Sequence, residues 1–343
     1  MKKKKTTIKD IANVLNISAA AVSKALHNNS RISEKTKENV RQVAKKLQYQ
    51  PNHLASALRS GKSNLVGVIV PRTNSNFFSS VIQNIEEVLN KKGYSIIITQ
   101  SNESYDKECK SIDTLLYTQV DGIIASMANE TIDLSSYEKI KSKGIPLILF
   151  DRGENDLNVD YIGIDDYNSS HVIVEHLVKN GCQRIAHIGG YKRTRIYNNR
   201  IRGYVDALKK HKLPLDAELL TEGDLTIEDG RIKMRQLLSL KTRPDAVYVA
   251  GDYAALGALQ VLKEHKILVP KEISLVGFGN EPFTDMVTPK ITSVNQHSAE
   301  IGKQAANTFL KYIENDTIEQ SLNKIILTAK LIVRDSSNKK TPL

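Results

Sequence analysis

The stretch Thr7-Ile8-Lys9-Asp10-Ile11-Ala12-Asn13-Val14-Leu15-Asn16-Ile17-Ser18-Ala19-Ala20-Ala21-Val22-Ser23-Lys24-Ala25-Leu26 holds two helix starts within a single short run. Thr7 followed three residues later by Asp10 is a capping pattern, and Ile8, Ile11, Ala12 and Leu15 then recur at helical spacing. Asn16 tolerates a left-handed backbone, and Ser18 is the residue type that caps a second helix. That helix, Ala19 to Leu26, hides Val22, Ala25 and Leu26 and turns Ala19, Ala20, Ser23 and Lys24 outward. Working outward, Ser33 is placed to cap a third helix whose inner face carries Val40, Val43, Ala44 and Leu47. Tyr49-Gln50-Pro51-Asn52 breaks it, and Leu54, Ala55 and Leu58 follow as a last short apolar pattern. Two helices on a tight turn, the second with a small polar outer face, form an all-α helix-turn-helix that fits a DNA major groove.

Charge agrees with that reading. The chain of 343 residues has a formal net charge of +11. Residues 1–60 carry thirteen Lys+Arg against three Asp+Glu, whereas the remainder is nearly balanced. The excess of positive charge therefore lies on the head, where a polyanion is the natural partner. Lys2 to Lys5 precede no apolar run of the kind a secretory signal carries, and no stretch approaches membrane-spanning length, so the expectation is a cytoplasmic protein with no membrane partner. Two cysteines, Cys109 and Cys182, exclude a disulfide scaffold, and neither they nor the eight histidines have metal-ligand spacing.

Beyond the polar linker Arg59 to Asn64, the pattern changes to strands alternating with helices. Strands are predicted at Leu65–Val70, Tyr94–Gln100, Asp121–Ser126 and Pro146–Phe150, and the cycle is read as starting again at Tyr161–Ile164. Further strands are expected at Arg184–Gly190, Leu219–Gly223, Asp245–Gly251, Ile273–Gly279 and Ile291–Gln296, with Lys324–Ala329 and Leu331–Asp335 near the end. This is an α/β core of two doubly wound parallel-sheet subdomains. In such folds ligands sit beyond the carboxyl ends of the strands. There the chain places Asn74, Ser75, Phe77 and Phe78, then Asp151 and Arg152, Arg200, Asp252 and Tyr253, Asn280 and Gln296. Carboxylates and an arginine pair with vicinal hydroxyls, and aromatic faces stack on ring surfaces, so the set describes a sugar-like pocket. Phe77 and Phe78 equally suit a cleft wall without ligand contact, and a loop brace is the lesser alternative for Asp151. Arg193 and Arg195 read as solvated loop charges.

Five short motifs in the head carry a family resemblance. Thr7-Ile8-Lys9-Asp10-Ile11-Ala12, Val22-Ser23-Lys24, Ile32-Ser33-Glu34-Lys35-Thr36, Leu47-Gln48-Tyr49-Gln50-Pro51-Asn52 and the later Ala55 and Leu58 resemble the lactose-repressor/galactose-repressor family. The resemblance implies DNA contacts from Ile8, Ser18, Ala19, Ala20, Ala21, Ser23, Lys24, Tyr49, Asn52, Ala55 and Leu58. It also implies a hinge helix after Pro51 whose leucine, here Leu58, wedges between base pairs in the minor groove. Within the core, Phe77-Phe78, Asp151-Arg152, Arg200, Val276-Gly277-Phe278 and Thr292-Ser293-Val294-Asn295-Gln296 resemble the family's effector-binding segments. Gly279 departs from the aspartate usual there, leaving Asn280 or Glu281 to compensate.

The resemblance implies a head at 1–50, a hinge and linker at 51–64, and a periplasmic-binding-protein-like core at 65–335. Its first subdomain is expected at about 65–162 plus 293–320 and its second at about 163–292 plus 321–335. The function implied is a ligand-responsive DNA-binding regulator, a repressor, working as a homodimer on an inverted-repeat operator with a sugar-like effector and no cofactor. A solute-binding protein of the same two-lobed fold is the alternative from another class, and a purine-like corepressor is the alternative effector. No Walker loop, HExxH or GxSxG motif is present, which argues against an enzyme.

Overall fold

The computed structural model describes residues 6–49, 61–314 and 322–339. It divides into a unit ending at Ser63 and a second unit beginning at Asn64. Asn52, Ala55 and Leu58, the expected hinge residues, lie outside the described residues.

Three helices make the head: α1 (Ile8–Leu15), α2 (Ala19–Leu26) and α3 (Glu34–Lys46). The Thr7 and Asp10 side chains cap each other's backbone amides, and Asn16 ends α1 in the left-handed region at φ 49°. Ser18 accepts from the Ala21 amide and Ser33 from the Thr36 amide, so all three helices begin on a side-chain cap. Each such cap stabilises its helix by about 1 kcal/mol. Ile11, Ala12, Val22, Ala25, Val40 and Ala44 form the buried centre. Helices α1 and α2 pack on each other, and α3 closes the third side against both.

The second unit contains two parallel sheets. Its first lobe is built on β1 (Leu65–Val70), β2 (Ser95–Gln100), β3 (Gly122–Ala125), β4 (Leu147–Phe150) and β5 (Asp160–Ile164), joined by α4 (Asn76–Asn90), α5 (Tyr105–Tyr117) and α6 (Ser135–Ser142). The second lobe follows with α7 (Asp166–Lys179), β6 (Ile185–Gly189), α8 (Arg195–Lys210), β7 (Leu220–Glu222), α9 (Ile227–Leu238), β8 (Ala246–Val249), α10 (Asp252–Glu264) and β9 (Ser274–Val276). Its strand order is β7-β6-β8-β9. Then β10 (Ser293–Asn295) bridges toward β9, α11 (Ser298–Glu314) packs on α4, β11 (Lys324–Leu327) returns to the first sheet, and β12 (Lys330–Ile332) pairs antiparallel with β10. The first sheet thus runs β11-β5-β4-β3-β1-β2.

Two features of this topology correct the sequence reading. Asp160–Ile164 closes the first set of strands rather than opening the second, because Ile148 and Leu149 of β4 pair with Asp160 and Tyr161. Lys324–Leu327 belongs to the first lobe rather than the second, since it pairs with Tyr161 to Ile164 along the sheet edge. Periodicity reports that a segment is extended and says nothing of which neighbour it will meet. Helix α6 is a further departure from the sequence reading. Only Tyr137 and Ile140 of its eight residues are buried, too few to show a periodic face.

Central strands β1, β3, β4 and β5 are apolar runs, buried almost throughout, as a sheet covered on both faces requires. Helix α4 covers one face with Phe77, Phe78, Val81, Ile82, Ile85 and Leu89. In the second lobe α7 and α8 lie so close that a Cβ on Gly203 would sit 2.1 Å from the Tyr167 carbonyl oxygen. Chain crossings between the lobes fall at three places: between β5 and α7, between β10 and α11, and between β11 and β12.

Candidate DNA-reading face and effector cleft

On the head, α2 presents Ser18, Ala20 and Lys24 to solvent, with Ala21 and Ser23 half-buried beside them. Lys24 lies in the last turn, where a cation also complements the helix dipole. Ala19, Ile8 and Tyr49 are also half-buried and pack against the head core, so their first role is to hold the helices together. The exposed part of α2 is therefore narrow: one hydroxyl, one methyl and one ammonium. A surface that shallow can lie deep in a major groove, where methyl groups meet thymine methyls and a lysine meets phosphate or guanine.

Between the two lobes of the core lies a cleft of about 690 Å³, including its open mouth. Its walls come from strand ends and helix starts of both lobes, among them Ser75, Phe77, Phe78, Asp151, Arg152, Arg200, Asp252, Tyr253 and Gln296. Ring edges meet ring faces along the first lobe's wall, with Phe77 and Phe78 centroids 5.1 Å apart and Phe78 in turn against Phe150.

Arg200 is the most firmly fixed of the polar groups. Its Nε donates to Asp166 Oδ1 at 2.8 Å, one terminal nitrogen to the Ala250 carbonyl at 2.9 Å and the other to Gln296 Oε1 at 3.4 Å. The guanidinium carbon stands 3.6 Å from the centre of the Phe278 ring. Three of its five N–H donors are thereby committed, leaving two for a ligand. Arg152 joins the lobes: it donates to Glu103 at 2.6 Å and to the Tyr197 hydroxyl at 3.1 Å. Asp151 sits in the left-handed region at φ 56°, and burial pushes its carboxyl up to about 6 against the pull of Arg152 and Arg200. A non-glycine residue there carries local strain, which the Tyr161 hydroxyl helps to hold by donating to the Asp151 carbonyl.

Two expected ligand contacts are turned elsewhere. The Asn280 side chain accepts from Arg334 at 2.8 Å and does not line the cleft. Its backbone is left-handed at φ 53°, and this swings the next residue inward instead. That residue is Glu281, 5% exposed, whose Oε1 accepts from the Ser75 hydroxyl at 3.3 Å and the Phe77 amide at 3.4 Å in the opposite lobe. Asp252 does line the cleft, but its oxygens are held from within, by the Ser293 hydroxyl at 2.7 and 2.9 Å and the Glu281 amide at 2.8 Å. It braces the loop that carries Glu281. Burial pushes its carboxyl up to about 6, partly offset by those two donors.

Further contacts link the lobes. The Tyr253 hydroxyl donates to the Asn74 carbonyl at 3.3 Å, and Arg193 and Thr194 both donate to Asn129, at 3.0 and 3.1 Å. Arg193 is therefore not merely solvated, and Arg195 stacks over the Tyr161 ring at 4.4 Å. Sequence reasoning missed Arg72, Glu103, Tyr197 and Asp224 in the cleft wall. Arg72 was within reach, since it follows directly on β1. Glu103 and Asp224 lie in polar loops, which offered no signal.

A small-molecule cleft and a helix-turn-helix on one chain are the parts of a DNA-binding regulator that answers to a ligand. Residues 7–52 match the model of bacterial regulatory proteins of the lacI family, and residues 174–337 match that of a periplasmic binding protein-like domain. The HTH-type transcriptional regulator DegA of Bacillus subtilis (strain 168) is 30% identical over 335 residues, 97% of this chain and 98% of that one. The chain belongs to the lacI family of transcriptional regulators. Among solved structures, the lac repressor dimer bound to operator and an anti-inducer superposes with a TM-score of 0.86 at 23% identity, over 97% of this chain and 99% of that chain. The CelR–cellobiose complex, also of a transcriptional regulator, gives a TM-score of 0.73 at 25% identity, over 97% and 100%.

Proposed function

We propose that this regulator is a repressor that binds an inverted-repeat operator as a homodimer in the cytoplasm, and that a sugar-like molecule held in the cleft controls its grip on DNA. Binding is its work and it catalyses no reaction. Ser18, Ala19, Ala20, Ala21, Ser23 and Lys24 read the major groove; the backbones around Ile8 and Tyr49 meet phosphates; Asn52, Ala55 and Leu58 act at the centre of the site. Phe77, Phe78, Asp151, Arg200, Tyr253 and Gln296 surround the effector, while Asp252 braces the loop that carries Glu281. The head spans 1–50, a hinge and linker 51–64, and the effector-binding core 65–335.

The observation that carries the reading is the pairing of Arg200 with Phe278 and Gln296 at the cleft floor. Stacked on the buried Phe278 ring, the guanidinium keeps two N–H donors that suit the vicinal hydroxyls of a sugar ring. A related regulator of this fold holds cellobiose. Because contacts from both lobes meet across the cleft, a ligand that prefers one lobe spacing shifts the population of that spacing by its difference in affinity.

Operator selection from a randomised duplex pool, with and without a panel of neutral sugars, tests this directly. The expected result is an enriched palindrome whose occupancy changes with one sugar. A palindrome that responds to a purine base and to no sugar would replace the effector class. No enriched sequence would overturn the operator assignment.

A further inference from the structure

Helix α4 begins on Ser75, yet Ser75 makes no side-chain cap to it. The first amides of a fifteen-residue helix would ordinarily attract an anion, through unsatisfied N–H groups and the positive end of the helix dipole. Here a carboxyl group is already in place, pushed up by burial and pulled back by the helix donors it accepts from. Glu281 reaches across from the second lobe and sets Oε1 against the Ser75 hydroxyl and the Phe77 amide. Its other oxygen, Oε2, is buried and has no hydrogen-bond partner among the described residues.

The rest of the cleft is equally unwelcoming to negative charge. Five carboxylates line it, Glu103, Asp151, Asp224, Asp252 and Glu281, against three guanidiniums. Each of those guanidiniums already has a carboxylate beside it: Arg72 and Arg152 share Glu103, and Arg200 holds Asp166. An anionic ligand would find the helix terminus filled and no cation unpaired. A hydroxyl or ammonium group, by contrast, would satisfy Glu281 Oε2.

We propose that Glu281 is a built-in occupant of the anion slot at the start of α4, and that it restricts the cleft to effectors presenting a hydrogen-bond donor there, excluding phosphorylated and carboxylated sugars. The restriction rests on the reading of the cleft as the effector site; occupancy of the slot does not. Gly279 fits the same design. At φ 134° it has a backbone that side chains rarely adopt, and a Cβ there would lie 3.2 Å from Asp252 Oδ2. With no side chain at 279, the effector's partner on this loop becomes the residue two further on.

Removing the side chain should vacate the slot. The full-length protein and its Glu281→Ala variant are compared by thermal melting and calorimetry with inorganic phosphate as the probe, at constant ionic strength against chloride. Phosphate at about ten times its dissociation constant is expected to raise the melting temperature of the variant by a few degrees and to leave the unsubstituted protein unchanged. Glu281→Ser serves the same purpose should the alanine variant fold poorly. Glu281→Gln, which still fills the slot, is expected to bind phosphate at least about tenfold more weakly than Glu281→Ala. Equal phosphate response in all forms, or none in either small-residue variant, would overturn the assignment. So would a sugar phosphate or uronate that binds the unsubstituted protein in the cleft as tightly as its neutral parent sugar. A phosphate response confined to the small-residue variants, together with operator binding indifferent to every neutral sugar, supports the built-in occupant and refutes only the sugar-effector reading.

Discussion

Asp166 Oδ1 lies 2.8 Å from Arg200 Nε, with both side chains almost wholly removed from solvent. Asp166 opens α7, the first helix after the chain leaves the first sheet, and Arg200 sits on α8 facing the cleft. One ion pair therefore fixes the orientation of the guanidinium that a ligand meets.

Breaking that pair from one side should be costly. Truncation of Asp166 to Ala leaves a buried guanidinium with its nearest countercharge gone, a loss of about 3–5 kcal/mol. Asp166→Asn keeps an acceptor for Nε and should lose less. Urea unfolding of the two variants distinguishes them; a loss below about 1 kcal/mol for Asp166→Ala would show that Asp151 carries the compensation instead.

Asp252 gives the core a particular pH response. Its folded carboxyl is raised from 3.8 to about 6, chiefly by burial, so the native state keeps a proton that the unfolded chain releases. The stability this group contributes is complete below about pH 3.8 and is lost as pH rises through about 6, up to roughly 3 kcal/mol. Asn at this position imitates the protonated form. Between pH 5 and 7.5 the unsubstituted protein should therefore lose stability relative to Asp252→Asn by about 1–3 kcal/mol. A constant difference across that range, read from melting curves, would mean the carboxylate is ionised throughout.

For the head, Lys24→Ala should weaken binding to all duplexes by similar factors and reduce the slope of log affinity against log salt by about 1, if Lys24 contacts phosphate. An unchanged slope with relaxed preference at one base pair would move Lys24 from backbone to base reading. Ala20→Glu, placing a carboxylate on the exposed methyl position, should abolish operator binding while the head's helical signal persists.

Gly203 allows α7 and α8 their close approach. A Cβ 2.1 Å from the Tyr167 carbonyl cannot be absorbed by a rotamer change, because the obstacle is backbone. Gly203→Ala should cost about 1–3 kcal/mol in unfolding free energy and shift Arg200 on the same helix, weakening effector affinity with it. Unaltered stability would indicate that the two helices slide freely.

Sequence showed more of the head than of the core. In the head the deciding signals are local: Thr7 with Asp10, Asn16, Ser18 and Ser33 act within three or four residues of themselves, and each performs the expected task. Strands of the core are also legible as apolar runs, whereas their partners are not, and for that reason Lys324–Leu327 joins the first sheet against the expectation from sequence. Among cleft residues, strand ends pointed to Phe77, Phe78, Asp151, Tyr253 and Gln296, all of which line it. Asn280 and Glu281 show the limit. One positive φ decides which of two neighbouring polar side chains faces inward, and that angle is set by Arg334 and Ser293, distant in sequence.

The three crossings between lobes have a consequence for how this protein can be cut. The first lobe is assembled from two separate stretches, β1 through β5 and then α11 with β11, and the second lobe from two more, α7 through β10 and then β12. No single truncation yields either lobe whole, so neither is a portable module that a gene fusion could carry elsewhere. Pivoting about one tether is replaced by bending across three, and the chain's own threading makes the pair of lobes inherit together or not at all.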